Sequence, residues 1–141
     1  MPNLPSNGIL RIFLVDDHAD TLKYFCLFLE SLGHQVAHAT SMKQALAEIP
    51  STNCDVLISD IALPDGDGWQ LLTQLRESNL PYPSYAVVTS GIGAPADRAK
   101  SLAAGFRHHI LKPFDPRNLI KILKEAADEL ESKTPCDPRP T

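Results

Sequence analysis

Short apolar runs and longer segments with helical spacing alternate five times along this chain. The runs have the length of single strands, and the segments between them place apolar residues on one side of an amphipathic helix. This alternation predicts a five-stranded parallel sheet with helices on both faces. Because crossovers between parallel strands are right-handed, we expect a doubly wound, flavodoxin-like α/β fold with strand order 2-1-3-4-5. The predicted strands cover residues 10–15, 35–39, 55–60, 85–88 and 108–111.

The length of 141 residues suits one domain. We expect a flexible leader at residues 1–8, the domain at 9–131 and a disordered tail at 132–141, because prolines and small polar residues crowd both ends. A net charge of −4 provides no basic surface for nucleic acid, and no apolar run could span a bilayer. The three cysteines are widely spaced, which indicates free thiols in a reducing cytoplasm.

Capping residues predict where several helices begin and end. Asp20 is the expected N-cap of the first helix, and Ser41 with Gln44 has the capping-box pattern at the start of the second. Pro50 is expected just after the end of that second helix. The pair Asp115–Pro116 is expected to begin the fifth helix.

Charged side chains follow several of the predicted strands. Asp16 and Asp17 close the first strand, and Asp60 closes the third. The carboxyl ends of parallel strands lie along one edge of a sheet, so these acids should meet there. They would repel one another unless a hard cation lay between them, and oxygen ligands suit Mg²⁺. Together with Thr89 and Lys112 after the last two strands, the set matches phosphoryl transfer to a carboxylate nucleophile.

Four motifs at these strand ends resemble the response-regulator receiver domains of two-component signalling. They are Leu-Val-Asp-Asp at 14–17, Ile-Ser-Asp at 58–60 with the following loop 63–68, Thr-Ser at 89–90 and Leu-Lys-Pro-Phe at 111–114. Each motif alone is unspecific, but their order and placement over residues 9–130 are specific. The resemblance implies a fold like that of the chemotaxis regulators. Residues 105–113 are more similar to receivers of hybrid sensor kinases than to those of transcription factors.

The resemblance also implies a role for each residue of the site. Asp60 would accept the phosphoryl group and also bind the metal, which would be Mg²⁺ or Mn²⁺. Asp17 would bind the metal directly, Asp16 would help through a water, and the backbone carbonyl of Ala62 would complete the protein ligands. Lys112 would pair with Asp60 and then with a phosphoryl oxygen.

A conformational switch is implied as well. The hydroxyl of Thr89 would turn toward the phosphoryl group, and His109 would follow it inward. A histidine stands there where an aromatic ring is more usual, and its charge would make the coupling sensitive to pH. Pro113 would follow a cis peptide bond that aims Lys112 into the site. The small side chains at Ala62 and Gly91 predict a site open to water.

The implied partners are proteins. A histidine kinase or phosphotransfer protein would supply the phosphoryl group, and a downstream target would bind the face of the fourth helix, fifth strand and fifth helix. No nucleic acid and no membrane insertion are expected. The chain would not be an enzyme with a separate substrate, because its only chemistry would be self-catalysed phosphoryl transfer and autodephosphorylation.

Two functions of other classes remain open. A Mg²⁺-dependent phosphohydrolase with an aspartate nucleophile would need an acid two residues after that nucleophile, where Ala19 and Ala62 stand. A nucleotide-binding module could use Gly91 and Gly93, which match the pattern Gly-x-Gly-x-x-Ala. That fingerprint belongs to the first turn of the fold, however, whereas here it follows the fourth strand.

Overall fold

A computed structural model describes residues 9–91, 98–112 and 115–133. The strands are β1 (Arg11–Val15), β2 (Gln35–Ala39), β3 (Val56–Asp60), β4 (Ala62–Leu63), β5 (Gly66–Asp67), β6 (Tyr85–Ser90) and β7 (His108–Leu111). Five of them form a parallel sheet in the order β2-β1-β3-β6-β7, while β4 and β5 pair as a small antiparallel hairpin. Counted without that hairpin, the order is 2-1-3-4-5, which confirms the predicted fold.

Helices cover both faces of the sheet. They are α1 (Ala19–Ser31), α2 (Met42–Thr52), α3 (Gly68–Glu77), α4 (Arg98–Ala104) and α5 (Pro116–Lys133). On one face, α1 and α5 pack against alternate residues of the central strands, such as Leu14 and Ile58. On the other face, α2 and α3 pack against the residues between them, such as Phe13 and Leu57. Every residue of β3 is buried, as expected for a central strand covered on both sides.

The predicted ends of two helices are wrong. Helix α1 begins at Ala19 with His18 as its N-cap, so Asp20 lies inside the first turn and does not cap it. The chain turns earlier because the backbone N–H of His18 donates to Oδ1 of Asp16. Pro50 lies inside α2, which continues to Thr52. Proline's fixed φ is compatible with the last helical turn, and the helix stops only at Asn53, whose φ of 54° is left-handed.

Two other capping predictions hold, one of them in part. The Ser41 hydroxyl accepts the backbone N–H of Gln44, but the Gln44 side chain returns to Thr40 instead of completing a box with Ser41. The carboxylate of Asp115 accepts the backbone N–H of Arg117 at 2.9 Å, and the helix begins at Pro116 as predicted.

The ends of the chain lie largely outside the described residues. The predicted leader at 1–8 and the tail from 134 onward cannot be compared with the structure, and α5 continues as far as Lys133. Among the described helices, none combines the length and the apolar composition needed to cross a membrane.

Candidate phosphoacceptor and metal site

The parallel sheet brings the predicted acids to one edge. Asp16 follows the last residue of β1, and Asp60 is the last residue of the neighbouring β3. Asp60 is paired in register with Thr89 of β6, which is buried. Lys112 follows β7, and its backbone N–H donates to the carbonyl of Ser90 at 2.8 Å. The topology therefore assembles residues separated by almost a hundred positions.

Lys112 provides the positive charge of the site. Its Nζ lies 2.7 Å from Oδ2 of Asp16 and 3.3 Å from Oδ2 of Asp60. The side chains of these two acids are only 4% and 6% exposed, whereas that of Lys112 is 18% exposed. The ammonium thus bridges both carboxylates and lies closer to Asp16 than to Asp60. The resemblance to receivers implies the pairing with Asp60, and the contact with Asp16 is additional to it.

Burial and charge shift the acid–base behaviour of this cluster. Burial raises the pKa of Asp60; Lys112 opposes this rise, and the nearby carboxylate of Asp16 adds to it. Burial alone would lower the pKa of Lys112, but its hydrogen bond to Asp16 and the charges of both acids raise it overall. The ammonium of Lys112 is therefore held in its charged form. A further positive charge nearby would stabilise the ionised form of Asp60.

The donor set fits a hard divalent cation. One ligand atom from each of Asp16, Asp17, His18 and Asp60 can be chosen so that all lie within 4.8 Å of one another. Three carboxylates face one ammonium, which leaves 3 − 1 = 2 negative charges before His18 is counted. Carboxylate oxygens with an excess of negative charge are the ligands that Mg²⁺ or Mn²⁺ binds in proteins.

His18 was not predicted as part of this cluster. Its Nδ1 lies 3.2 Å from an oxygen of Asp16 and 3.2 Å from one of Asp17, although its side chain is largely exposed. The signal in the sequence was its position directly after the acid pair. Its role as helix N-cap, rather than Asp20, fixes it at that place.

The loop after Asp60 folds tightly against the site. The backbone N–H of Gly68 donates to the carbonyl of Ile61, and a Cβ on Gly68 would lie 2.9 Å from the carbonyl oxygen of Asp60. There is no room for a side chain at this position, so glycine is required there. Asp67 and Gln70 form a reciprocal capping box that starts α3 at this point. The turn-rich sequence predicted a loop and a helix start, but neither the hairpin nor the capping box.

Asp65 ties this loop to α2. Its carboxylate accepts the backbone N–H groups of Met42 and Lys43 at 2.8 and 2.9 Å. These two bonds hold the pKa of Asp65 below its usual value. The loop that carries Ala62 is thereby anchored to a helix on the same face of the sheet.

The remaining predicted positions are distributed as follows. The N–H of Ala62 lies 3.4 Å from Oδ1 of Asp60, and its side chain is exposed. His109 is buried, with 8% of its surface exposed. A Cβ on Gly91 would meet no atom of the described residues within 4 Å. Pro113 and Gly93 lie outside the described residues.

Known proteins are similar to this chain in sequence and in fold. A family model described as the response regulator receiver domain matches residues 12–124. An uncharacterized 14.6 kDa protein in the sodA1 3′ region of Leptolyngbya boryana is 32% identical over 82% of this chain and 88% of its own length. The phosphate regulon transcriptional regulatory protein PhoB of Escherichia coli strain K12 is 29% identical over 81% of this chain. The chain spans about half the length of PhoB, because the match covers 50% of that protein.

Solved structures give the same result. The CheY-like response regulator receiver domain protein from Methanospirillum hungatei JF-1 superposes with a TM-score of 0.78 and 30% identity, covering 89% of this chain and 98% of that one. The family match covers most of the sheet and every strand that contributes to the acidic cluster. The chain therefore belongs to the response regulator receiver domain family, whose members are phosphoacceptors in two-component signalling.

Proposed function

We propose that Asp60 is the phosphoacceptor of this receiver, with Mg²⁺ or Mn²⁺ held by Asp16, Asp17 and Asp60. The observation that carries the proposal is a nearly buried carboxylate at a strand end, 3.3 Å from an ammonium and beside an acid pair. Of the three acids, Asp60 lies at the end of the central strand next to Thr89. The backbone carbonyl of Ala62 is the further ligand that we propose for the metal.

The proposed reaction is a displacement at phosphorus. An oxygen of Asp60 attacks the donor's phosphohistidine, an O–P bond forms, the P–N bond breaks, and its electron pair returns to the imidazole of the donor. A bound divalent cation would supply charge neutralisation for the phosphoryl oxygens. Lys112 and the cation would together offset most of the charge of about −1.5 to −2 that a phosphoryl group brings. When water attacks the same phosphorus, a new O–P bond forms, the bond to the Asp60 oxygen breaks, and inorganic phosphate leaves with the carboxylate restored. The chemistry that we propose is limited to these two self-catalysed steps.

Thr89 and His109 are the proposed switch residues. The threonine lies in register beside Asp60, so its hydroxyl can reach a phosphoryl oxygen after a local rotation. Several charge-assisted hydrogen bonds can together supply the roughly 5.5 kcal/mol that reverses a 1:99 equilibrium. Pro113, after a cis bond, is the proposed support for Lys112. We also propose that residues 9–131 form the receiver domain.

The proposed partners are a histidine kinase or phosphotransfer protein and a downstream target protein. A groove of about 490 Å³ lies between α4, β7 and α5, and supports binding of the target at that face. Leu102 and Leu111 line this groove and are 61% and 47% exposed, which supplies apolar area for a contact. We propose neither nucleic acid nor a membrane as the ligand of this face.

Intact-mass measurement after incubation with acetyl phosphate and Mg²⁺ tests the proposal. The wild-type chain should gain one labile phosphoryl group, and Asp60→Asn should gain none. Asp55→Asn is a matched control because Asp55 precedes the same strand and its carboxylate binds the backbone N–H of Arg11. This control should gain the phosphoryl group like the wild type. An equal gain in Asp60→Asn would refute the assignment of the nucleophile.

A further inference from the structure

A histidine at the acidic cluster adds a nitrogen to a set of possible ligands that otherwise consists of oxygens. Nδ1 of His18 lies 3.2 Å from Oδ1 of Asp16 and 3.2 Å from Oδ1 of Asp17. One atom from each of these three side chains and one from Asp60 can be chosen so that all four lie within 4.8 Å of one another. The cluster therefore offers three carboxylates and one imidazole to a cation.

The two separations of 3.2 Å match the spacing of neighbouring ligands around one ion. Bonds of about 2.1 Å that meet at right angles hold their two ligand atoms about 3.0 Å apart. A hydrogen bond accounts for only one of the two separations, because Nδ1 carries at most one proton. Both separations are accounted for when one cation bonds to all three atoms.

The backbone fixes His18 beside the acid pair. Its N–H donates to Oδ1 of Asp16 at 2.9 Å, and its carbonyl accepts the N–H of Leu22 at 2.9 Å in the first turn of α1. His18 is the N-cap of this helix, but its side chain makes no capping hydrogen bond. The imidazole is therefore not needed to start α1. With the single proton of the uncharged ring on Nε2, the lone pair of Nδ1 can bind a cation.

We propose that His18 is a ligand of the cation and that it makes the site prefer transition ions such as Co²⁺ or Zn²⁺ over Mg²⁺. Imidazole suits these transition ions, whereas Mg²⁺ binds oxygen ligands. Carboxylates bind both classes of ion, so the nitrogen decides the preference. The side chains of Asp16 and Asp60 are nearly buried and that of His18 is largely exposed, so the imidazole closes the solvent side of the cluster. This inference rests on the metal site of the proposed function.

Calorimetric titration with Co²⁺ and with Mg²⁺ tests the proposal. The ratio of the Mg²⁺ Kd to the Co²⁺ Kd should fall at least about tenfold in His18→Ala, because loss of a residue that merely supports a metal ligand already costs about that much affinity. His38→Ala removes an exposed imidazole from β2 and should keep the wild-type ratio. A second measurement needs no variant: nitrogen NMR of the wild type should show a shift of Nδ1 of His18 on addition of one equivalent of Zn²⁺, and no comparable shift at His38.

Failure of this inference is distinct from failure of the proposed function. If the wild type and His18→Ala have the same ratio of Kd values, or if Nδ1 of His18 does not shift with Zn²⁺, His18 is not a ligand and Asp60 remains the proposed acceptor. If the wild type binds neither Mg²⁺ nor Co²⁺, the proposed metal site fails and this inference fails with it. The gain of phosphoryl mass by the wild type and by Asp60→Asn, measured with Mg²⁺, tests the nucleophile separately.

Discussion

Replacement of Lys112 by methionine should destabilise the metal-free protein and increase its response to Mg²⁺. The substitution keeps most of the apolar stem but leaves Asp16 and Asp60 buried without their ammonium. Contacts of 2.7 and 3.3 Å are each worth about 5–6 kcal/mol at an effective dielectric constant of about 20, before desolvation is subtracted. Removing one partner of such a buried group costs about 3–5 kcal/mol. We expect the lower end, about 3 kcal/mol, because a carboxylate can take up a proton.

The pH dependence of this loss has a definite sign. The pKa of Asp60 is raised by burial, and Lys112 holds that rise in check, so the variant should have a still higher pKa at this residue. A carboxylate with a raised folded pKa favours the folded state at low pH and loses that contribution as pH rises through the folded pKa. The free energy of unfolding that Lys112→Met loses relative to the wild type should therefore be large at neutral pH and should shrink as the solution is acidified.

Urea unfolding with EDTA and with Mg²⁺ is the assay. A cation at about 100 times its Kd stabilises the folded state by about 2.7 kcal/mol, which is close to the expected loss. Mg²⁺ should stabilise Lys112→Met more than the wild type, because no ammonium then competes with the cation. Lys124→Met, on the exposed side of α5, is the control. It should change neither the stability in EDTA nor the stabilisation by Mg²⁺. Unchanged stability of Lys112→Met in EDTA would refute this reasoning.

Three further substitutions test other parts of the structure. Gly68→Ala should lose about 1–3 kcal/mol in urea unfolding, because its Cβ would meet the Asp60 carbonyl oxygen at 2.9 Å. Asp65→Ala should lower the melting temperature at neutral pH, and the difference should vanish in acid as pH falls through the depressed pKa of Asp65. Tyr85→Phe should lose about 1 kcal/mol, since the hydroxyl donates to Glu125 at 2.9 Å. Burial and Glu125 raise the pKa of Tyr85, so ultraviolet titration should place its ionisation above the usual value of 10, and this stabilisation should be lost as pH rises further.

The sheet and the acidic cluster could be predicted because both depend on patterns within single strands. An apolar run ending in Asp60 is both a buried strand and a charge at its end, and parallel topology brings such ends together. The lysine's position followed from the same rule, although its preference for Asp16 depends on distances that no sequence pattern contains.

Features that depend on contacts between elements were not predictable in the same way. The bond from Asp16 to the backbone of His18 starts α1 earlier than the cap at Asp20 would. Hydrogen bonds between side chains link Ser90 of β6, His109 of β7, Ser101 of α4 and Trp69 of α3. Each of these residues is ordinary when it is taken alone. Local capping signals compete with such bonds, and only the folded arrangement decides between them.

Borohydride reduction of the phosphorylated chain, followed by peptide mapping, tests the central claim most directly. Hydride converts an aspartyl phosphate to homoserine and leaves free aspartate unchanged, so the product marks the acceptor. We expect homoserine at position 60 and unmodified aspartate at positions 16, 17 and 65. Homoserine at position 16 or 17 with Asp60 intact would contradict it.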